Sequence, residues 1–282
     1  MTDVALKRSP SRSRGNLIRG SLIAIAVAYV TILILAPLGG IVWATARSGW
    51  SLVGDTLSQP DVRHAYWLTF VVTIITVVVT GVLGLIAALV LARDRFFGKG
   101  ILNALVDLPM AVSPVIVGVM AVLLFGRGGW FEPFFAAQGI QVIFALPSMV
   151  IVTVFICIPF VIREVIPVLK EVGMAEDEAA RTLGASGLQT FRRVTFPSIR
   201  WGFFYGVALS AARALGEIGA VLIVSGGLQG QTETATLYVF RALEERQDAS
   251  GYLVALSLAA MSILLLTAIE VFKHRRNKEM GR

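Results

Sequence analysis

The stretch EAARTLGASGLQTFRRVTFP, residues 178–197, is polar and basic yet lies between two long apolar runs, and its punctuation decides how the chain is read. Glu176, Asp177 and Glu178 put three carboxylates in a first helical turn, where they complement the partial positive charge of a helix N-terminus. Ala179 and Ala180 favour helix and permit close approach of another surface, and Gly184 suits a left-handed stop. Ser186 followed three residues later by Gln189 is a capping box for a second short helix, predicted to end before Pro197. Two short helices meeting at a glycine turn make a compact elbow that projects from whatever the flanking runs build.

Those runs belong in a bilayer. A chain of 282 residues with 56% hydrophobic and 15% charged side chains has more apolar surface than one soluble core hides. A helix crosses the hydrocarbon layer with about 20 apolar residues, and six stretches qualify, at about 20–46, 65–92, 101–125, 142–162, 201–224 and 252–272. The ten-residue alternation of a membrane barrel is absent. The first stretch ends in Ala44-Thr45-Ala46, which imitates a signal-peptide cleavage site, but its apolar run is too long for a signal and reads as a span. The expected fold is therefore an all-α integral membrane bundle of six helices.

Basic residues orient it. The tail (Lys7, Arg8, Arg12, Arg14, Arg19), the connection with Arg93, Arg95 and Lys99, the elbow region from Arg163 to Arg200, and the C-terminus from Lys273 to Arg282 carry most of the Lys and Arg. Positive flanks stay on the cytoplasmic side, so both termini and the elbow are expected there. The net charge of +7 is explained by these flanks beside anionic headgroups, and it forms no stripe that would track nucleic-acid phosphates. Cys157, the only cysteine, lies inside the fourth span and excludes an internal disulfide. Residues 1–19 read as a disordered basic cytoplasmic tail, and 20–282 as one six-helix domain in which residues 163–200 form the elbow loop.

Inside the membrane two segments stand out. Span three carries Asp107, Pro109 and Pro114 in DLPMAVSPVIVG, so that helix is expected to bend or break and to face the bundle interior. Asp107, near its cytoplasmic end, reads as hydrated. Span five carries two ridges of small residues, Gly206/Ser210/Ala214 and Ala212/Gly216/Ala220, and one i, i+4 pair of opposite charges, Arg213 and Glu217. Arg213 lies roughly 18 Å beyond Trp201, near the bilayer centre, and must face protein or water. The pair reads either as a buried structural bridge or, with Pro109 and Pro114, as a candidate lining of an anion pathway or its gate.

The elbow resembles the EAA loop of permease subunits in bacterial ATP-binding-cassette (ABC) importers. That pattern is Glu-Ala-Ala, three residues, Gly, nine residues, then Ile-x-Leu-Pro; Glu178, Ala179, Ala180, Gly184 and Pro197 match it, while Val194 and Phe196 replace Ile and Leu. Together with DLPMAVSPVIVG, PFVIREVIPVLKE and ARALGEIGAVLIVSGG, the chain looks closest to the W-type permease of sulfate/thiosulfate importers over about residues 61–272.

This resemblance implies a type I importer permease fold and makes the elbow a coupling loop for an ATP-hydrolysing subunit. It further implies two copies of that ATPase, a paralogous T-type permease, a periplasmic sulfate- or thiosulfate-binding protein, and residence in the bacterial inner membrane. The chain is expected to be no enzyme itself. It has no GxxxxGK(S/T) phosphate loop, so ATP-Mg belongs to the partner, and the isolated His64 and His274 suggest no metal site. The alternatives are a molybdate or tungstate permease of the same class, and a secondary anion transporter that needs no ATPase; the latter would normally show repeated halves, and none is found.

Overall fold

A hydrocarbon layer offers no water to backbone donors, so each apolar run must close its hydrogen bonds within itself, and helix is the result. The computed structural model describes residues 11–47 and 49–280, with side chains described for 19–47, 49 and 51–271. In chain order the helices are α1 (Ser11–Arg47), α2 (Trp50–Ser58), α3 (Pro60–Arg93), α4 (Lys99–Ala111), α5 (Pro114–Phe125), α6 (Glu132–Ala136), α7 (Leu146–Val172) and α8 (Ala175–Thr182). After α9 (Gly187–Thr190) comes a π turn (Phe191–Thr195), then α10 (Phe196–Leu215), α11 (Gly219–Ser225), α12 (Ala235–Glu244) and α13 (Asp248–Met280).

Among the described residues four helices are long and apolar enough to cross alone: α1 from Arg19, α3, α7, and α13 as far as Val271. The other two crossings are bent pairs. α4 and α5 meet at 111°, and the run Gly187–Leu215 meets α11 at 56°. Counting each pair once gives the six expected spans.

Several boundaries differ from the sequence reading. α1 begins at Ser11, so the second half of the stretch expected to be disordered is helical; residues 1–10 lie outside the described residues. An apolar helix already nucleated gains one hydrogen bond for each residue added, which carries it into a polar flank. α7 continues to Val172, so the first ten residues of the stretch 163–200 are helix and the elbow is smaller than expected. α2 and α12 were not foreseen.

The core is built on close approach. α3, α7 and α10 pack together, and a Cβ on Gly206 would stand 2.9 Å from the Val161 backbone, so only glycine lets α10 and α7 touch there. Between α3 and α10 the Thr80 and Ser210 hydroxyls lie 3.0 Å apart. One apolar cluster (Ala88, Leu91, Val161, Val165, Ile199) fills the elbow end of the bundle. A second (Leu68, Val72, Met149, Val152, Val221, Val224) fills the far end, where α5 and α11 pack on α7. A third, around Tyr238, joins α12 to α3 and α13. α1 rests on α13 and leaves its apolar side chains exposed, as suits a helix bathed in lipid.

Candidate functional site

The elbow forms much as its residues dictate. α8 carries its three acids in the first turn and ends at Thr182, two residues before Gly184, which adopts φ 87°. The capping box closes: Ser186 N–H donates to Gln189 Oε1 at 2.8 Å, and Gln189 N–H donates to Ser186 Oγ at 3.4 Å. Glu178, Ala179 and Gly184 are exposed and Ala180 is half-buried, so the EAA face is open on its outer side. Leu183 and Leu188, beside the glycine turn, are 89% and 67% exposed, which gives the tip an apolar surface uncovered by the described residues.

The second elbow helix does not stop before Pro197. It runs through the π turn straight into α10, with Pro197 exposed in the first turn of that span. Proline has no N–H to offer and its ring crowds the preceding turn. The wider turn, in which Phe196 N–H bonds back to Phe191 C=O, accommodates it without a break. Rings of Phe191, Phe196 and Phe203 follow one another at 5.9 and 5.7 Å along this junction.

Sequence reasoning missed the residue that holds the elbow in place. Asp177 does not simply serve the dipole of its helix; it turns inward and is 4% exposed. Its Oδ1 accepts a hydrogen bond from the Thr195 hydroxyl at 2.9 Å, and its Oδ2 lies 2.5 Å from Nη1 of Arg93, in the last turn of α3. The only signal in the sequence was one acid more than a helix start needs.

The remaining candidates lie elsewhere. Arg213 sits in the last turn of α10, roughly 27 Å along the helix from Thr195. Its Nη1 is 2.7 Å from Glu217 Oε2, so the expected pair exists, but not within one continuous helix. The helix breaks at residues 216–218, which leaves Gly216 exposed and interrupts the second small-residue ridge, whereas Gly206, Ser210 and Ala214 are buried. Arg213 therefore faces the negative end of α10, and Glu217 the positive start of α11, each stabilised by the nearer dipole. Glu217 Oε1 accepts the Ala220 N–H at 2.9 Å, and its backbone carbonyl accepts the Thr236 hydroxyl at 2.8 Å.

Pro114 meets this second break. A Cβ on Gly219 would stand 3.1 Å from the Pro114 ring, and a Cβ on Gly118 would stand 2.9 Å from Ala220 O. Pro109 is buried inside α4. Arg213, Glu217 and Pro114 thus gather at the two breaks, well away from Glu178, Ala179, Ala180, Gly184 and Pro197. Asp107, read as hydrated, is half-exposed and is also held bidentately by Arg163 of α7 at 2.7 and 2.6 Å, and Arg163 donates to the Asn103 carbonyl at 3.2 Å. At the far end of the bundle the buried Glu233 takes Arg241 at 2.7 and 3.0 Å, and that hydrogen bonding holds the Arg241 guanidinium above its already high range. His64 is the fifth residue of α3, and His274 lies outside the residues whose side chains are described.

Known proteins share this architecture. The sulfate transport system permease protein CysW of Synechococcus elongatus is 42% identical over 92% of this chain and 91% of its own length. The sulfate transport system permease protein CysT of Salmonella typhimurium is 36% identical over 88% and 89%. Among solved structures, a chain of a bacterial alginate ABC transporter in complex with an alginate pentasaccharide-bound periplasmic protein superposes with a TM-score of 0.78, covering 96% of this chain and 99% of that one at 14% identity. Residues 80–278 match the family described as "Binding-protein-dependent transport system inner membrane component". With that match spanning more than half of its length, the chain belongs to this family, the membrane-embedded permease subunits of ABC importers.

Proposed function

We propose that the chain is the W-type permease subunit of a sulfate importer, forming half of the transmembrane pathway beside a T-type partner and carrying out no chemistry of its own. The observation that supports this reading most is 42% identity to a sulfate permease across nearly the whole of both chains, with the EAA elbow intact. The termini and the elbow face the cytoplasm, where the Arg and Lys flanks are retained. Two ATPase subunits hold ATP-Mg, and each permease elbow docks on one of them through Glu178, Ala179, Ala180, Gly184 and the apolar tip. A periplasmic protein delivers sulfate or thiosulfate at the far end. Closure of the ATPases moves the elbows and turns the paired bundles from inward-open to outward-open, which requires only that the two states bind these partners differently.

In this reading Arg213 and Glu217 serve first as a structural bridge. A carboxylate that also caps α11 is poorly placed to release its arginine to a passing anion.

Two measurements test the proposal. Uptake of labelled sulfate in a strain lacking this chain is restored by its expression; restoration of molybdate uptake alone assigns the pathway to the other oxyanion. Gly184→Trp in the assembled importer loses the ATPase on purification and lowers sulfate uptake by at least about tenfold. The added Cβ meets nothing within 4 Å but strains the φ 87° turn, so folding of the variant is checked by its monodisperse purification with the partner permease; retention of both ATPase and uptake sinks the docking role.

A further inference from the structure

The elbow is attached to the bundle in two unlike ways. On one side α9 passes through the π turn into α10 without interruption, so any movement of α9 is a movement of span five. On the other side α8 is a helix of eight residues between Gly173 at φ 72° and Gly184 at φ 87°. Two glycines in conformations that few side chains adopt are swivels at either end of a short rod. A push on α8 would turn it about them and be spent before reaching a span, unless a side chain ties it down.

Asp177 is that tie. Its carboxylate is buried and shared between Thr195, at the foot of α10, and Arg93, at the foot of α3. Arg93 is itself mostly covered, and among the described residues its Nε has no hydrogen-bond partner and Asp177 Oδ2 has none beyond the ion pair with Arg93. Pulling α8 from α3 would strand a buried charge on each side, which makes the joint stiff where an exposed ion pair would be slack. α3 has no chain connection to the elbow, yet along its length it packs on α7 and α10. A load that reaches Arg93 is therefore shared by the three-helix core.

We infer that Asp177 is a positioning residue for coupling: through Arg93 and Thr195 it makes α8 and the feet of α3 and α10 one rigid body, so that force applied to the elbow reaches span two as well as span five. The inference rests on the elbow being the surface that the ATPase moves. Being buried, Asp177 does not touch the ATPase itself.

The test uses the complete importer in vesicles, with its partner permease, ATPase and sulfate-binding protein. It reads ATPase retained on purification, ATP hydrolysis, and labelled sulfate taken up per ATP hydrolysed. Asp177→Asn keeps the shape and the bond to Thr195 but removes the charge. It is expected to retain the ATPase, to leave hydrolysis within about twofold, and to lower uptake per ATP by about tenfold or more. Thr195→Val lowers the same ratio by about threefold. Arg93→Lys keeps more of it than Arg93→Gln.

A purely structural pair would reduce the amount of complex while leaving uptake per ATP in the surviving complexes unchanged, and that result overturns the inference. Loss of the ATPase from Asp177→Asn also overturns it, by assigning Asp177 to the docking surface. If Asp177→Asn yields no complex, an unchanged ratio in Thr195→Val is decisive against it. Failure of the docking reading is separate: Gly184→Trp would then keep its ATPase whatever Asp177 does.

Discussion

The break between α4 and α5 turns the chain by 111° at a residue that precedes proline, whereas the break between α10 and α11 turns it by 56° although no proline follows Pro197. In the first, covalent geometry works against the helix. Pro114 disfavours a helical conformation at Ser113 and supplies no donor, and Val112 and Ser113 are extended at ψ 137° and 135°. In the second, nothing forbids the helix; substitutes for its lost bonds are provided instead. The Glu217 carboxylate takes the Ala220 N–H, and Arg213 answers the end of α10 with positive charge. A span can thus be interrupted by removing a partner or by supplying a better one, and only the second kind depends on distant side chains remaining in place.

The contrast can be broken or sharpened by substitution. The largest effect is expected from Glu217→Ala, which removes the cap of α11 and leaves Arg213 without its partner. A loss of about 3 kcal/mol or more is expected in detergent unfolding. A loss below about 0.5 kcal/mol would mean that this break is held by packing alone. Gly118→Val is next, because its side chain must enter the space of Ile223 Cβ, 2.8 Å from an added Cβ, and of the Ala220 carbonyl. Overpacking of this kind costs about 1 to 3 kcal/mol by the same assay, and a neutral result would show that α5 and α11 part freely. The smallest is Pro114→Ala. Proline at a first helical position loses no hydrogen bond, so stability should change by less than about 1 kcal/mol. Spin labels on α4 and α5 should report a longer distance as the span partly straightens; an unchanged distance would show that packing, and not Pro114, holds the 111° turn.

The two breaks also differ in how visible they were beforehand. Pro109 and Pro114 announce a bend because proline acts on its own neighbours in the chain. Arg213 and Glu217 were recognised as a pair, but the i, i+4 spacing stabilises a continuous helix as readily as it bridges a gap, and only the Ala220 and Thr236 contacts decide which. The elbow was legible for the first reason: Gly184, Ser186 and Gln189 act within one or two turns. Its anchorage was not, because Arg93 and Asp177 are brought together by the packing of whole helices, and the acids of α8 already had a sufficient local explanation. Asp107 and Arg163 were missed in the same way. α2 and α12 escaped because short helices with one apolar face do not rise above the hydropathy of a connection.

The π turn at Phe191–Thr195 sets the phase of everything downstream of it. One residue more or less in a helix rotates the following side chains by about 100°. Dropping a single residue between Ser186 and Thr195 would swing Gly206 off α7 and Ser210 off Thr80 of α3, and present bulkier neighbours to Val161. The nine residues separating Gly184 from Val194 are on this account a winding constraint: substitutions there alter what the tip offers a visitor, but a change of length would mis-dial the screw on which the fifth span is cut.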